Sequence, residues 1–70
     1  MNNSNKAFVR YTINELLFPI FQDNIERESV VDNLWGEVVS DISETADCNN
    51  FTSEDIRIAL ARALKNKVIY

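Results

Sequence analysis

The chain contains no histidine and has only one cysteine, one glycine and one proline. These absences remove the Cys/His ligand sets of structural zinc sites, the Cys–His pair of nucleophilic enzymes and any intrachain disulfide. Acid–base catalysis at neutral pH would then need a carboxylate tuned by burial, and no motif in the sequence predicts one. We therefore expect a protein that is not an enzyme and that uses neither a metal nor a cofactor.

Seventy residues allow one small domain, which we expect to span residues 1–70. A hydrophobic content of 46% and a charged content of 26% are typical of a globular chain rather than a disordered one. The polar residues 1–5 and the lack of an apolar run of about 18 residues give no sign of a targeting or membrane-spanning segment. We therefore expect a cytoplasmic protein that does not associate with membranes, with residues 1–10 as a candidate flexible N-terminal arm.

Charge is unevenly distributed along the sequence. All eleven acidic residues lie between residues 11 and 56, where Arg27 is the only base, and the net charge is −4. The other six bases lie towards the ends, and they are Lys6, Arg10, Arg57, Arg62, Lys65 and Lys67. An acidic protein is a poor candidate for a dedicated nucleic-acid binder, because phosphate neutralisation supplies most of that affinity.

Hydrophobic periodicity predicts helices over Ile13–Ile25, Val30–Ala46 and Ser53–Lys67. The predicted inward stripes are Ile13, Leu16, Leu17, Ile20 and Phe21, then Val31, Leu34, Trp35, Val38, Val39 and Ile42, then Ile56, Ala59, Leu60, Ala63 and Leu64. Short connections make sequential helices antiparallel neighbours. The sequence therefore predicts an all-α three-helix bundle whose last two helices form an antiparallel αα-hairpin.

Local signals punctuate these helices. Three pairs resemble capping boxes, namely Thr12 with Glu15, Ser29 with Asp32, and Thr52 with Asp55. Pro19 has no backbone N–H to donate to the carbonyl of Glu15, so we expect a kink in the first helix there, or a second short helix that opens at Pro19. Apolar and polar residues alternate over residues 7–12 and 67–70, so either end of the chain could instead form a short strand.

The outer side of the last helix is the best candidate for an interaction surface. Ile58, Arg62, Lys65 and Ile69 follow one another at steps of four, three and four, opposite the predicted core stripe. Apolar positions flanked by bases are typical of protein interfaces, since arginine stems cover apolar area while their heads bind acids.

The middle helix carries an acidic ridge formed by Glu37, Asp41 and Glu44, at steps of four and three. Such a ridge could attract a divalent cation, but calcium sites need oxygen ligands arranged on a shaped loop. A solvated helix face is therefore the favoured interpretation of the ridge.

Three single residues have specific expectations. Trp35 is expected to anchor the core with its ring nitrogen bonded to an acceptor. Gly36 projects with Ser40 and Ser43 onto the back of the middle helix, which would suit either close contact with a second helix or a tolerated surface glycine. Cys48 is expected to be a reduced, half-buried thiol in a turn.

Together these features predict a non-enzymatic interaction or regulatory module that associates with a second copy or another protein. In the self-associating form, the basic last helix docks on the Glu37–Asp41–Glu44 ridge of a second copy, which would explain the charge segregation. The alternative is a small DNA-associated regulator whose last helix is the recognition helix. Its contacts with phosphates or base edges would come from Arg57, Arg62, Lys65 and Lys67.

Overall fold

The computed structural model describes residues 1–47 and 49–67, which form three helices: α1 (Asn3–Leu17), α2 (Asn24–Thr45) and α3 (Ser53–Lys67). Each helix packs against the other two. No strand occurs in this described part of the chain. The predicted all-α three-helix bundle is therefore confirmed, and the question of a strand at residues 68–70 lies outside the described residues.

The start of α3 agrees with the prediction. The Oγ1 of Thr52 accepts a hydrogen bond from the backbone N–H of Asp55 at 3.3 Å, and the Oδ2 of Asp55 accepts one from the backbone N–H of Thr52 at 2.9 Å. These reciprocal bonds form the capping box that the sequence predicts, and they satisfy two donors that a helix N-terminus leaves without partners.

The predicted start of α1 is wrong by ten residues. The helix begins at Asn3, and the Oδ1 of Asn2 caps it by accepting from the backbone N–H of Asn5 at 2.7 Å. Thr12 is a buried residue inside the helix, so it is not an N-cap. Residues 3–10 form the first turns of α1, rather than an arm or a strand, because Val9 extends the apolar stripe one turn before Ile13.

The predicted kink at Pro19 is also wrong. The α1 helix ends at Leu17, and Pro19 lies in the turn that follows. Ile20 and Phe21 both donate their backbone N–H groups to the carbonyl of Leu17, at 3.0 and 2.8 Å. Because this turn leaves the helix axis, Ile20 is exposed and does not join the core as predicted.

The α2 helix begins six residues before the predicted start at Val30. The Oδ1 of Asp23 caps it by accepting from the backbone N–H of Glu26 at 2.9 Å. Ser29 therefore lies inside the helix. The pair formed by Asp23 and Glu26 is itself a capping signal, since a short acidic side chain precedes a glutamate by three residues.

The core is built from the predicted stripes together with Val9. Its buried members are Val9, Ile13, Leu17, Val31, Leu34, Val38, Ile42, Ile56, Ala59, Leu60 and Ala63. Trp35 packs against this core, and its Nε1–H donates to the carbonyl of Lys6 at 3.1 Å, as expected of a core anchor.

In each pair of sequential helices, residue numbers rise along one helix while those of the contacting residues fall along the other. Along α1 and α2, Lys6 bonds to Trp35, and eight residues later Asn14 bonds to Arg27. Along α2 and α3, Arg62 bonds to Asp41, whereas Asp55 shares a groove with Ala46. This order is the one expected for antiparallel neighbours.

Gly36 is exposed on α2, and no described atom outside its own stretch of helix lies within 4 Å of the position that a Cβ would occupy. We expect Gly36→Ala to raise the free energy of unfolding by about 1 kcal/mol, because glycine costs that much relative to alanine inside a helix. Gly36→Ser should give about half that gain. Chemical denaturation of the three proteins measures the series, and an unchanged or lower midpoint in both variants would contradict this account of Gly36.

Candidate interaction surfaces

Two of the predicted site residues contact each other within the chain. Arg62 binds the carboxylate of Asp41 through two parallel hydrogen bonds, Nε to Oδ2 and Nη2 to Oδ1, both at 2.8 Å. Thr45 completes the contact by donating its hydroxyl to the Oδ1 of Asp41 at 3.0 Å. This two-point geometry fixes the guanidinium against α2, so the base that was expected to reach a second copy already has a carboxylate partner.

The same contact sets the electrostatics of Asp41. The hydrogen bonds from Arg62 hold the pKa of the Asp41 carboxyl below its ordinary value of 3.8, with the Thr45 hydroxyl and the positive charge acting in the same direction against partial desolvation. The carboxylate in turn raises the pKa of the Arg62 guanidinium. Both groups are therefore charged at neutral pH.

The other predicted residues surround this pair. Glu37 and Glu44 are exposed and line the same open groove as Arg62, while Ile58 is half-exposed and lines a neighbouring one. Lys65 is exposed on α3. Ile69 and Cys48 lie outside the described residues. The structure thus places Arg62 of α3 beside the acidic ridge of α2, and we call the surface that carries Glu37, Asp41, Glu44, Ile58, Arg62 and Lys65 the α2–α3 face.

Folding pairs bases from both ends of the sequence with acids. Arg10 binds Asp32 at 2.5 Å on the α1–α2 side, as Arg62 binds Asp41 on the other. Arg57 pairs with Glu54 one helical turn away. The charge segregation along the sequence therefore has an explanation within one chain and does not require a second copy. Two of the four bases assigned to DNA contact are already bound to carboxylates.

A buried arginine organises the α1–α2 side of the molecule, and its position was not predicted from the sequence. Arg27 is 7% exposed, and its guanidinium donates to the Oδ1 of Asn14 at 2.8 Å and the Oδ1 of Asn24 at 2.5 Å. It also donates to the backbone carbonyls of Phe21 and Gln22, at 2.8 and 3.2 Å. All four acceptors are neutral, so the charge is stabilised by hydrogen bonds rather than by an ion pair.

This arginine holds a turn that exposes large apolar side chains. Its guanidinium lies 4.9 Å from the ring centroid of Phe18, within the range of a cation–π contact. Phe18 is 53% exposed, Ile20 is 66% exposed and Ile25, in the first turn of α2, is 82% exposed. We call these three residues and the turn that carries them the apolar end. Sequence reasoning missed it because Ile20 fits a helical core stripe if α1 continues past Pro19.

No family model, curated protein or solved structure matches this chain. None of the described helices has the length and apolar character that crossing a bilayer requires. Across the described residues, no group of three acidic or cysteine side chains is placed to hold a metal ion, and that includes the Glu37–Asp41–Glu44 ridge.

Arg27→Lys should destabilise the fold. Lysine keeps the charge but cannot reach four acceptors at once, so buried carbonyl and amide oxygens lose their donors. We expect the free energy of unfolding to fall by about 2–3 kcal/mol, measured by chemical denaturation. Arg57→Lys, at an exposed ion pair, is the matched control and should change little. Equal effects of the two substitutions would contradict the role given to Arg27.

The Asp41 contact predicts an acid-dependent contribution to stability. Because the folded pKa of Asp41 lies below 3.8, wild-type protein should be more stable than Asp41→Asn at neutral pH. That difference should disappear as the pH falls below 3.8 and through the folded pKa, where the carboxylate becomes protonated in both states. Thermal unfolding across this pH range measures it. In an Arg62→Gln background, Asp41→Asn should have a smaller effect, and an undiminished effect would assign the shift to another group.

Proposed function

We propose that this protein is a non-enzymatic protein-interaction module. The observation that carries the proposal is the number of large apolar side chains that the fold leaves in solvent, which are Phe8, Tyr11, Phe18, Ile20, Ile25 and Ile58. Single exposed apolar residues are ordinary, but several on one short stretch of chain, as at Phe18, Ile20 and Ile25, are typical of a contact surface. A small core also gains stability from further burial, and association supplies it.

Self-association through the α2–α3 face is the first form of this proposal. The face carries acids on α2 beside bases on α3, so a two-fold axis through it would set the acids of one copy against the bases of the other. Within the chain Arg62 already pairs with Asp41, which leaves Lys65 opposite Glu44 as the charged contact between copies. Ile58 would supply the apolar contact at the edge of the face.

We expect light scattering coupled to size exclusion to give a mass above 8.1 kDa that falls as salt is added. Lys65→Glu and Ile58→Ser should each lower the mass towards the monomer, because they remove a charged and an apolar contact without touching the Asp41–Arg62 pair. Adding Glu44→Lys to Lys65→Glu should restore part of the association if those side chains meet across the interface.

Ile25→Ser is the matched control for these variants, since it removes an exposed isoleucine from the apolar end and should leave this mass unchanged. A monomer at every salt concentration would refute self-association. If Ile25→Ser lowered the mass of the assembly in solution and Ile58→Ser did not, the contact between copies would lie outside the α2–α3 face.

DNA association by α3 receives less support from the contacts. Arg57 and Arg62 are each bound to a carboxylate of the same chain, so approaching phosphates would have to displace Glu54 and Asp41. Titration with random-sequence duplex at low salt tests this alternative. Binding that weakens steeply as salt is added, and that is lost with Lys65→Glu, would favour it over the interaction module.

A further inference from the structure

We propose that the apolar end, formed by Phe18, Ile20 and Ile25, binds a basic amphipathic segment of a partner protein. The proposal extends the interaction function to a second surface, and it stands whether or not the α2–α3 face self-associates. Its support comes from the exposed apolar area, the rigidity of the turn and the sign of the surrounding charge.

Two of the exposed side chains at this end, those of Ile20 and Ile25, contribute little to the fold. Ile25 is 82% exposed in the first turn of α2, where a polar residue would satisfy the same helix geometry. Ile20 is 66% exposed and lies three residues beyond the end of α1. Like Phe18, both are exposed, and all three lie on the short stretch of chain that follows α1 and begins α2, so a partner could bury them together.

The turn that presents these side chains is held firmly. Arg27 bonds to Asn14 on α1, to Asn24 on α2 and to two carbonyls between the helices, and its guanidinium lies against the ring of Phe18. A partner would therefore meet a preformed surface and lose less conformational entropy on binding.

The charges around the apolar end are acidic. Glu15 in the last turns of α1 and Asp23 and Glu26 at the start of α2 are all exposed. No base lies between residues 11 and 26, and the next one, Arg27, is buried with its donors occupied. Charge complementarity therefore selects a cationic partner and disfavours anionic lipid or nucleic acid.

A second copy is a weaker occupant than another protein. Three of the bases that a second copy could offer, Arg10, Arg57 and Arg62, are paired with carboxylates of their own chain. Arg27 is buried, and Lys65 belongs to the α2–α3 face. The exposed side chains of Phe18, Ile20 and Ile25 are the apolar surface that remains open to another protein at this end. A helix with apolar anchors at i, i+3 and i+4 and lysines on its other face could seat its anchors here.

The test is a titration of the isotope-labelled 70-residue chain with a synthetic helical peptide that has leucines on one face and lysines on the other. We expect backbone amide shifts concentrated over residues 14–27, and about a tenfold weaker affinity for Ile25→Ser. Ile58→Ser, on α3, is the matched apolar control and should bind as wild type does. The same peptide with glutamates in place of lysines should bind at least about tenfold more weakly.

The contribution of the acidic residues to peptide binding is tested by a second pair of substitutions. Glu15→Gln, beside the apolar end, should weaken binding of the lysine peptide by about threefold, whereas Glu44→Gln, on the α2–α3 face, should not. Shifts spread along Glu37, Asp41 and Glu44, or equal losses for the two substitutions, would overturn the proposal in favour of nonspecific attraction. Ile25-dependent binding to phosphatidylserine vesicles, or an Ile25-dependent dimer, would overturn it by identifying a different occupant.

Discussion

The buried guanidinium of Arg27 is the constraint on which the α1–α2 side of the molecule depends. Pro19 ends the possibility of a continuing helix, and the chain then has to turn back with several backbone carbonyls left over. Arg27 supplies donors to two of them and bonds at the same time to a side chain from each helix. One residue thereby bonds the turn to both α1 and α2.

Electrostatic pairing plays the corresponding role on the two outer sides of α2. This helix is rich in acids and lies against two helices that each bring an arginine to it, Arg10 from α1 and Arg62 from α3. Exposed pairs of this kind add little to the free energy of unfolding. Their greater effect is on register, because a two-point contact such as that between Arg62 and Asp41 is satisfied in one alignment of the helices.

The sequence predicts α3 correctly because its capping box and its apolar stripe agree. For α1 and α2 the helical periodicity is sound, but their starts are hidden, since Asn2 and Asp23 lie in polar segments that also suit loops. The positions of Arg27 and Arg62 could not be predicted from spacing. Their partners Asn14 and Asp41 are 13 and 21 residues away, so each contact depends on how two helices align. At Ile20 the prediction extends α1 too far. The apolar spacing of the helix continues to Ile20, although α1 ends at Leu17.

Ile25 is a large apolar residue that the fold does not need. The core is complete without it, and Asp23 already fixes the start of α2, so neither packing nor capping accounts for an isoleucine at a position that is 82% exposed. A polar residue there would leave the helix equally stable and the protein more soluble. Phe18 is different, because Arg27 uses its ring as a support. The apolar end thus combines one side chain that supports Arg27 with two isoleucines that neither the core nor the helix caps use.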